Sequence, residues 1–397
     1  MSSSETYVIV GASLAGAKAA EALRDKGFDG SIVLIGAEQH LPYERPPLSK
    51  GYLLGKAERE SAFVHPADWY AEHDVDLHLD TPVAGLDRHA HELIAGHGDP
   101  LHYDKLLLAT GATPRRLQVP GAELAGVHYL RTLDDSEALR AAFRPEAHVV
   151  VIGGGWIGLE TAAAARAHGA AVTVLESAPL PLLRVLGPRV AAVFADLHRQ
   201  NGVDLRCEVT VAAIRAGQGD PQVVGSVELG DGTVLDADVV VVGVGVLPNV
   251  ELARSAGLAV ENGILVDASL RTSDPDIVAA GDVANAEHPV LGTRIRVEHW
   301  ANALNQPAVA AQTMLGVDAV YDRLPYFFTD QYDLGMEYLG HAGADDDVVV
   351  RGDLDAREFV ALWVRDGRVA AGMNVNIWDV TDKIRELILA GSPPEAY

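Results

Sequence analysis

The period of the apolar positions changes along the chain, and each change marks an element. Near the start, the apolar run of "YVIVGAS" gives way to "LAGAKAAEALRDKG", whose apolar residues recur at helical spacing, and then to a second run, "SIVLIGAE". Strand, glycine turn, helix and strand in that order predict a βαβ unit. The same order returns in "HVVVIGGG", "WIGLETAAAARAHG" and "AVTVLES". One chain therefore carries the unit twice. Between the copies lie a proline-rich loop at 42–47 and a strand-like "YDKLLLATGATPR".

Beyond the second unit, "SVELGDGTVLDADVVVVGVG" has the pattern of a hairpin, with Asp231-Gly232 supplying the positive φ angles of a tight turn. The run 239–246 is apolar throughout, as in a strand covered on both faces. "DIVAAGD" at 276–282 reads as another buried strand. A helix is predicted over 302–316, with Pro307 in its early turns or at a kink. From about 320 the texture shifts to a second hairpin around Asp366-Gly367, then to an amphipathic helix, "DVTDKIRELILAG", capped by Asp379 or Thr381. This stretch predicts a small α/β domain. No low-complexity linker separates the parts, so they are expected to pack together.

A chain of 397 residues exceeds one typical core, and 48% hydrophobic with 22% charged residues suits two or three soluble domains. The opening "MSSSET" has no Lys or Arg before the first apolar run, so no signal peptide is expected. The apolar stretches near 149 and 239 are broken by glycines well short of the ~20 residues a spanning helix requires, so no membrane segment is expected either. With Cys207 as the single cysteine, no intramolecular disulfide can form, which fits a cytoplasmic location. A formal charge of −25 argues against a nucleic-acid partner, which needs a basic surface.

The second glycine loop has Gly153, Gly155 and Gly158 after a strand and at the start of a helix. There the first glycine permits the tight turn, the second lets a pyrophosphate approach the backbone, and the third lets helix pack on strand. Glu176 follows about 20 residues on, where a carboxylate accepts both ribose hydroxyls and repels a 2′-phosphate, favouring NAD over NADP. The first loop is less regular, with Gly11, Ser13 and Gly16, and Glu38 fills the acidic place. Two loops imply two dinucleotides. The simplest chemistry between them is hydride transfer from NADH to FAD.

Six segments extend this reading: "LPYERPPLSKGYLLG" (41–55), "LLLATGATPR", "VVVIGGGWIGLE", "GVGVLPN", "AAGDVAN" and "RVEHWANALNQ". In this order, across nearly the whole chain, they resemble the FAD-dependent NADH–ferredoxin reductases of the pyridine nucleotide-disulfide oxidoreductase superfamily. The resemblance implies an α/β fold of two Rossmann-like dinucleotide-binding domains, glutathione-reductase-like, plus a small C-terminal α/β domain. Its divisions would be FAD-binding segments at 1–112 and 244–318, an NAD-binding domain at 113–243 and a C-terminal interface domain at 319–397.

The resemblance also implies roles. Lys50 would lie near the flavin N5, paired with Glu160, where a fixed ammonium stabilises the negative charge of reduced flavin. FAD contacts would come from Gly11, Ser13, Leu14, Ala15, Gly16, Glu38, Arg45, Lys50, Val83, Ala109, Thr110, Gly111, Arg131, Asp282, Glu298, His299 and Trp300. The NADH site would comprise Gly153, Gly155, Ile157, Gly158, Glu160, Glu176 and Gly245. One departure concerns "YFFTDQYD": the family often has a tryptophan and a serine where Phe328 and Thr329 stand. Any electron-transfer role for an aromatic there is in doubt.

Disulfide reductases of this architecture use cysteines beside the flavin, and this chain has none in its FAD segments. Cys207 is expected to be a buried strand residue. Electrons must then leave the flavin directly and singly, which suits a [2Fe–2S] ferredoxin serving a P450 or Rieske oxygenase. Two other functions stay open at this level: an NADH-sensing interaction module of the apoptosis-inducing-factor type, and an NADH diaphorase or oxidase. His65, His73, His78, His89, His91, His97 and His102 show no zinc spacing and are expected to be solvated, so no metal site is expected. An acidic ferredoxin would need a local basic patch, for which Arg294, Arg296 and Arg323 are the candidates.

Overall fold

The computed structural model describes residues 5–96 and 98–397. They fall into two compact units: the first comprises 5–44, 59–113 and 247–326, the second 45–58, 114–246 and 327–397. Each unit is built around one parallel five-stranded sheet.

In the first unit the strand order is Ile277–Ala279, Lys105–Leu108, Thr6–Val10, Ser31–Ile35, Val75–His78. In the second it is Val127–His128, Val239–Val242, His148–Ile152, Ala171–Leu175, Asp204–Arg206. The glycine-loop strand is central in both, flanked by the strand that leads to the acid, and every pairing is parallel. Strands covered on both faces need apolar residues at nearly every position, which is why the central strands read as apolar runs, whereas the edge strands Val75–His78, Asp204–Arg206 and Val127–His128 do not. The helix Leu14–Asp25 follows the first loop and Trp156–Ala167 the second, each burying a face rich in alanine that lets it approach its sheet closely. The first core contains Val8, Ile9, Leu34 and Leu107, and the second contains Val151, Leu159, Val174 and Phe194.

The C-terminal part of the second unit is an antiparallel sheet ordered Tyr326–Gln331, Leu334–Gly340, Arg368–Val375, Glu358–Arg365, Asp347–Asp353. The helix Thr381–Ala390 lies so close to it that a Cβ on Gly372 would sit 2.6 Å from Ile384.

Several sequence expectations change in detail. Asp366 and Gly367 both take positive φ, as a tight hairpin turn demands, but in the other hairpin only Gly232 does. There Asp231 instead accepts a hydrogen bond from the Thr233 amide, so its carboxylate closes the turn. The strand expected over 239–246 stops at Val242, and Val244 and Gly245 are exposed. Neither Asp379 nor Thr381 caps the last helix, because Val380 holds the cap position and Asp379 is left-handed at φ 61°. Pro307 falls in the middle of the helix Trp300–Met314 rather than its early turns. Cys207 lies just beyond the strand Asp204–Arg206 and is half-buried, and that burial raises its thiol pKa.

No helix among the described residues is long and apolar enough to cross a membrane.

Candidate functional site

In the first unit the loop geometry explains its own glycines. Gly11 has φ 120°, and a Cβ on it would lie 2.1 Å from the Ala109 carbonyl oxygen. A Cβ on Gly16 would lie 2.0 Å from the Gly11 oxygen. Ser13 is the N-cap of the helix but offers it no side-chain bond, because its hydroxyl donates to the Tyr43 carbonyl at 3.3 Å. The amides of the first turn, at Leu14 and Ala15, are thus uncapped by any side chain, the arrangement that receives an anion. Gly281 stands opposite, and its Cβ would be 3.4 Å from Ala15, so the turn carrying Asp282 adjoins the same helix start. Gln306 accepts from the Gly281 amide at 2.7 Å and fixes that turn.

Other predicted residues of this unit sit around the loop or brace it. The Tyr43 hydroxyl donates to Glu38. Asn249 exchanges bonds with Thr110 and its backbone amide donates to the Gly111 carbonyl at 2.9 Å, pinning the segment after Ala109. Trp300 opens its helix and donates Nε1–H to Glu44 at 2.8 Å, and His299 is the N-cap of that helix. Val83 begins the strand Val83–Asp87 and packs on the first core. Arg296 binds Glu298 at 2.7 Å with its side chain only 8% exposed, and Arg294 bonds the Val266 and Asn285 carbonyls and Glu287. Both arginines are committed to partners within the unit, so they do not form the free basic patch expected of them. Arg323 bonds Asn305.

The second loop repeats the steric logic. Gly153 has φ 106° and would clash with the Gly243 oxygen at 2.3 Å, and Gly158 with the Gly153 oxygen at 2.1 Å. Gly155 caps the helix without a side-chain bond, and the nearest atom to a Cβ there is 3.9 Å away. Ile157, in the first turn, is 43% exposed. Glu176 accepts from the Gly154 and Ala178 amides, each at 2.8 Å, so the acid is held against the loop. Gly245 has φ 96° and its carbonyl takes the Arg115 amide.

Glu160, on the same helix, is 4% exposed, a costly place for a carboxylate unless it is paired. Lys50 Nζ lies 2.8 Å from its Oε1, and the hydroxyls of Ser49 and Thr329 also donate to it. Lys50 Nζ stands 5.2 Å from the centre of the Phe328 ring. Asp330 is beside this cluster, and its pKa is raised by burial and by Glu160, against the pull of Lys50. The pairing of Lys50 with Glu160 spans 110 positions. Arg45 donates to the Arg131 carbonyl, which brings those two residues together in the same unit.

Sequence reasoning missed Ser49, Tyr43, Asn249 and Gln331. Ser49, Asn249 and Gln331 work through long-range contacts that no local pattern announces, and Tyr43 bonds Glu38 within the same loop region. It noted Thr329 only as a departure. The histidines at 65–102 form no metal cluster among the described residues, and His97 lies outside them. His65 stacks on Trp69 at 3.9 Å, so it packs rather than being merely solvated.

A family model described as pyridine nucleotide-disulphide oxidoreductase matches residues 5–307, and one described as reductase C-terminal matches residues 326–397. The chain is 45% identical, over 99% of its length and 96% of the relative's, to the anthranilate 1,2-dioxygenase system ferredoxin–NAD(+) reductase component of Burkholderia cepacia. It is 39% identical to putidaredoxin reductase of Pseudomonas putida, covering 95% of this chain and 90% of that one. The solved covalent putidaredoxin reductase–putidaredoxin complex contains a chain with a TM-score of 0.94 and 38% identity, covering 98% of this chain and 94% of that one.

Proposed function

The chain belongs to the pyridine nucleotide-disulphide oxidoreductase family, extended by a reductase C-terminal domain, and on that premise we propose that it passes electrons from NADH, through bound FAD, one at a time to a [2Fe–2S] ferredoxin. That ferredoxin would serve a P450 or Rieske oxygenase. The observation that carries the reading is the pair of glycine loops, each ending in an uncapped helix start and each accompanied by a carboxylate.

The residues fit the two dinucleotides. In the first unit the amides of Leu14 and Ala15, with the turn at Asp282, would hold the FAD pyrophosphate, and Glu38 its ribose. In the second, Gly155 and the following turn would hold the NADH pyrophosphate, and Glu176 its adenosine ribose. Bound FAD supplies what no side chain here can, since it accepts two electrons as hydride and releases them singly. Lys50, its charge fixed by Glu160, would favour electron density on the flavin ring if the bound FAD reaches it.

The segments 1–112 and 244–318 would form the FAD-binding domain, 113–243 the NAD-binding domain and 319–397 the interface domain. The chain's single cysteine lies outside both FAD segments, so the reading needs no thiol relay. We place the protein in the cytoplasm, where NADH is supplied and an isolated thiol stays reduced.

The test is steady-state cytochrome c reduction by NADH with and without a panel of [2Fe–2S] ferredoxins. Strong stimulation by at least one ferredoxin is expected. If none stimulates while ferricyanide is still reduced, the protein is a diaphorase or oxidase. If neither acceptor is reduced, the interaction-module alternative gains.

A further inference from the structure

Glu160 heads a line of buried polar groups that the proposed reaction has not used. Thr329, Gln331 and His198 are each at most 1% exposed, and they follow one another outward from the carboxylate. The Thr329 hydroxyl donates to Glu160, Gln331 Nε2 donates to the Thr329 oxygen at 3.2 Å, and His198 Nε2 lies 2.8 Å from Gln331 Oε1. On the far side of the imidazole, the Tyr332 hydroxyl is 3.5 Å from Nδ1, at the outer limit of a hydrogen bond.

With Thr329 donating to Glu160, the proton inventory gives this line one direction. A hydroxyl has a single proton, and Thr329 gives it to Glu160, so towards Gln331 it can only accept. The amide therefore turns its nitrogen to Thr329 and its oxygen to His198 Nε2, where the complement of an amide oxygen is an imidazole N–H. His198 must therefore carry its proton on Nε2. Burial lowers this imidazole to about 4, so it is neutral at physiological pH and has one proton to place. If the proton moved to Nδ1, the amide would turn over, Thr329 would donate to the amide oxygen, and Glu160 would face a lone pair instead of a donor. Beside the Lys50 ammonium, donors to this buried carboxylate are its strongest supports.

We propose that His198 is a positioning residue which, through Gln331 and Thr329, locks the Thr329 proton onto Glu160 and so holds Lys50 in place for electron transfer. The proposal rests on the function assigned above to Lys50. It gives Thr329 a reason to carry a hydroxyl, and it places the controlling proton three groups away from the ion pair.

Two measurements test it. In protein labelled with 15N-histidine, the ring nitrogens of His198 should show the neutral tautomer protonated at Nε2; an Nδ1–H tautomer overturns the proposal. This readout is independent of any activity. In anaerobic stopped-flow, Thr329→Val and His198→Phe should slow flavin bleaching at saturating NADH on the order of tenfold, as loss of one charge-assisted donor implies, with NADH affinity and FAD content unchanged. Thr329→Ser, which keeps the hydroxyl, should restore the rate. A Thr329→Val rate within twofold of the unsubstituted protein would contradict it, and this variant also carries the kinetic test should His198→Phe fail to fold. Failure of the unsubstituted protein to bleach would sink the functional reading alone, leaving the tautomer to decide the hydrogen-bond line.

Discussion

The two glycine loops solve one steric problem with two different pairs of residues. In both, the first and third glycines are demanded by the chain itself, because a Cβ would press within 2.0–2.3 Å of a carbonyl oxygen. They differ at the second loop position and at the residue after the neighbouring strand. The first unit has Ala12 and Gly36 there, and a Cβ on Gly36 would lie 2.6 Å from that of Ala12. The second has Gly154 and Glu176, and a Cβ on Gly154 would lie 3.0 Å from Glu176 Oε2. In the first pair only one member can carry a side chain, and in the second a Cβ on Gly154 would press on Pro181 at 2.9 Å as well as on Glu176. Where the loop yields the space, the acid sits directly on the loop amide; where it does not, the acid is displaced to Glu38. The third difference, Ser13 against Gly155, has no such internal cause, since the space around Gly155 is open to 3.9 Å. In the first loop the Ser13 hydroxyl bonds the Tyr43 carbonyl, and in the second the space at Gly155 is left open.

The largest expected effects come from the shared glycines. Gly16→Ala and Gly158→Ala should each cost roughly 4 kcal/mol or prevent folding, since the obstructing atom is backbone and cannot move aside. Chemical denaturation of the two variants checks this, and mild effects would mean that the loops are softer than their geometry implies. Acid sensitivity should separate the units next. His198 is buried and neutral with its value lowered from 6.5 to about 4, so below pH 6.5 the unfolded chain binds a proton that the folded one refuses. Stability of the second unit should therefore fall by roughly 3 kcal/mol as pH drops from about 6.5 to about 4. His198→Phe should flatten that slope in pH-dependent melting.

The exchange of loop and strand-end residues gives a smaller, more pointed test. Gly154→Ala should cost roughly 2 kcal/mol, and adding Glu176→Gly should return on the order of 1 kcal/mol, the contact with Pro181 remaining. Strict additivity would break the account of the paired positions. Glu176→Gly alone should also lower the preference for NADH over NADPH on the order of tenfold, read from the two apparent affinities. The smallest effect belongs to Gly155→Ala, whose stability should stay within about 0.5 kcal/mol of the unsubstituted protein while its NADH affinity drops.

How much of this the sequence disclosed follows from the range of the forces involved. The loops were legible because their glycines answer to atoms a few residues away or on the adjacent strand. The central parallel strands were legible because burial on both faces leaves an apolar run, while the short edge strands Val75–His78, Val127–His128 and Asp204–Arg206 carry no such run and were not. The Lys50–Glu160 pair was not readable from spacing, as 110 positions separate its members, and only the family resemblance suggested it. Of the line from Thr329 to His198 only Thr329 stood out, as a departure from the family pattern, since a helix histidine and a strand glutamine become partners only once sheet and helix are packed. Local rules also failed where a side chain answered to its surroundings first: Asp231 closes a turn by accepting an amide, and Asp379 takes a left-handed conformation where a cap was expected.

The most direct test of the central claim is an anaerobic titration of the purified protein with NADH, followed by flavin absorbance. The account predicts a yellow protein with one FAD per chain that bleaches fully with one equivalent of NADH. A colourless protein that takes up no FAD, or a flavin that NADH leaves oxidised, would contradict it.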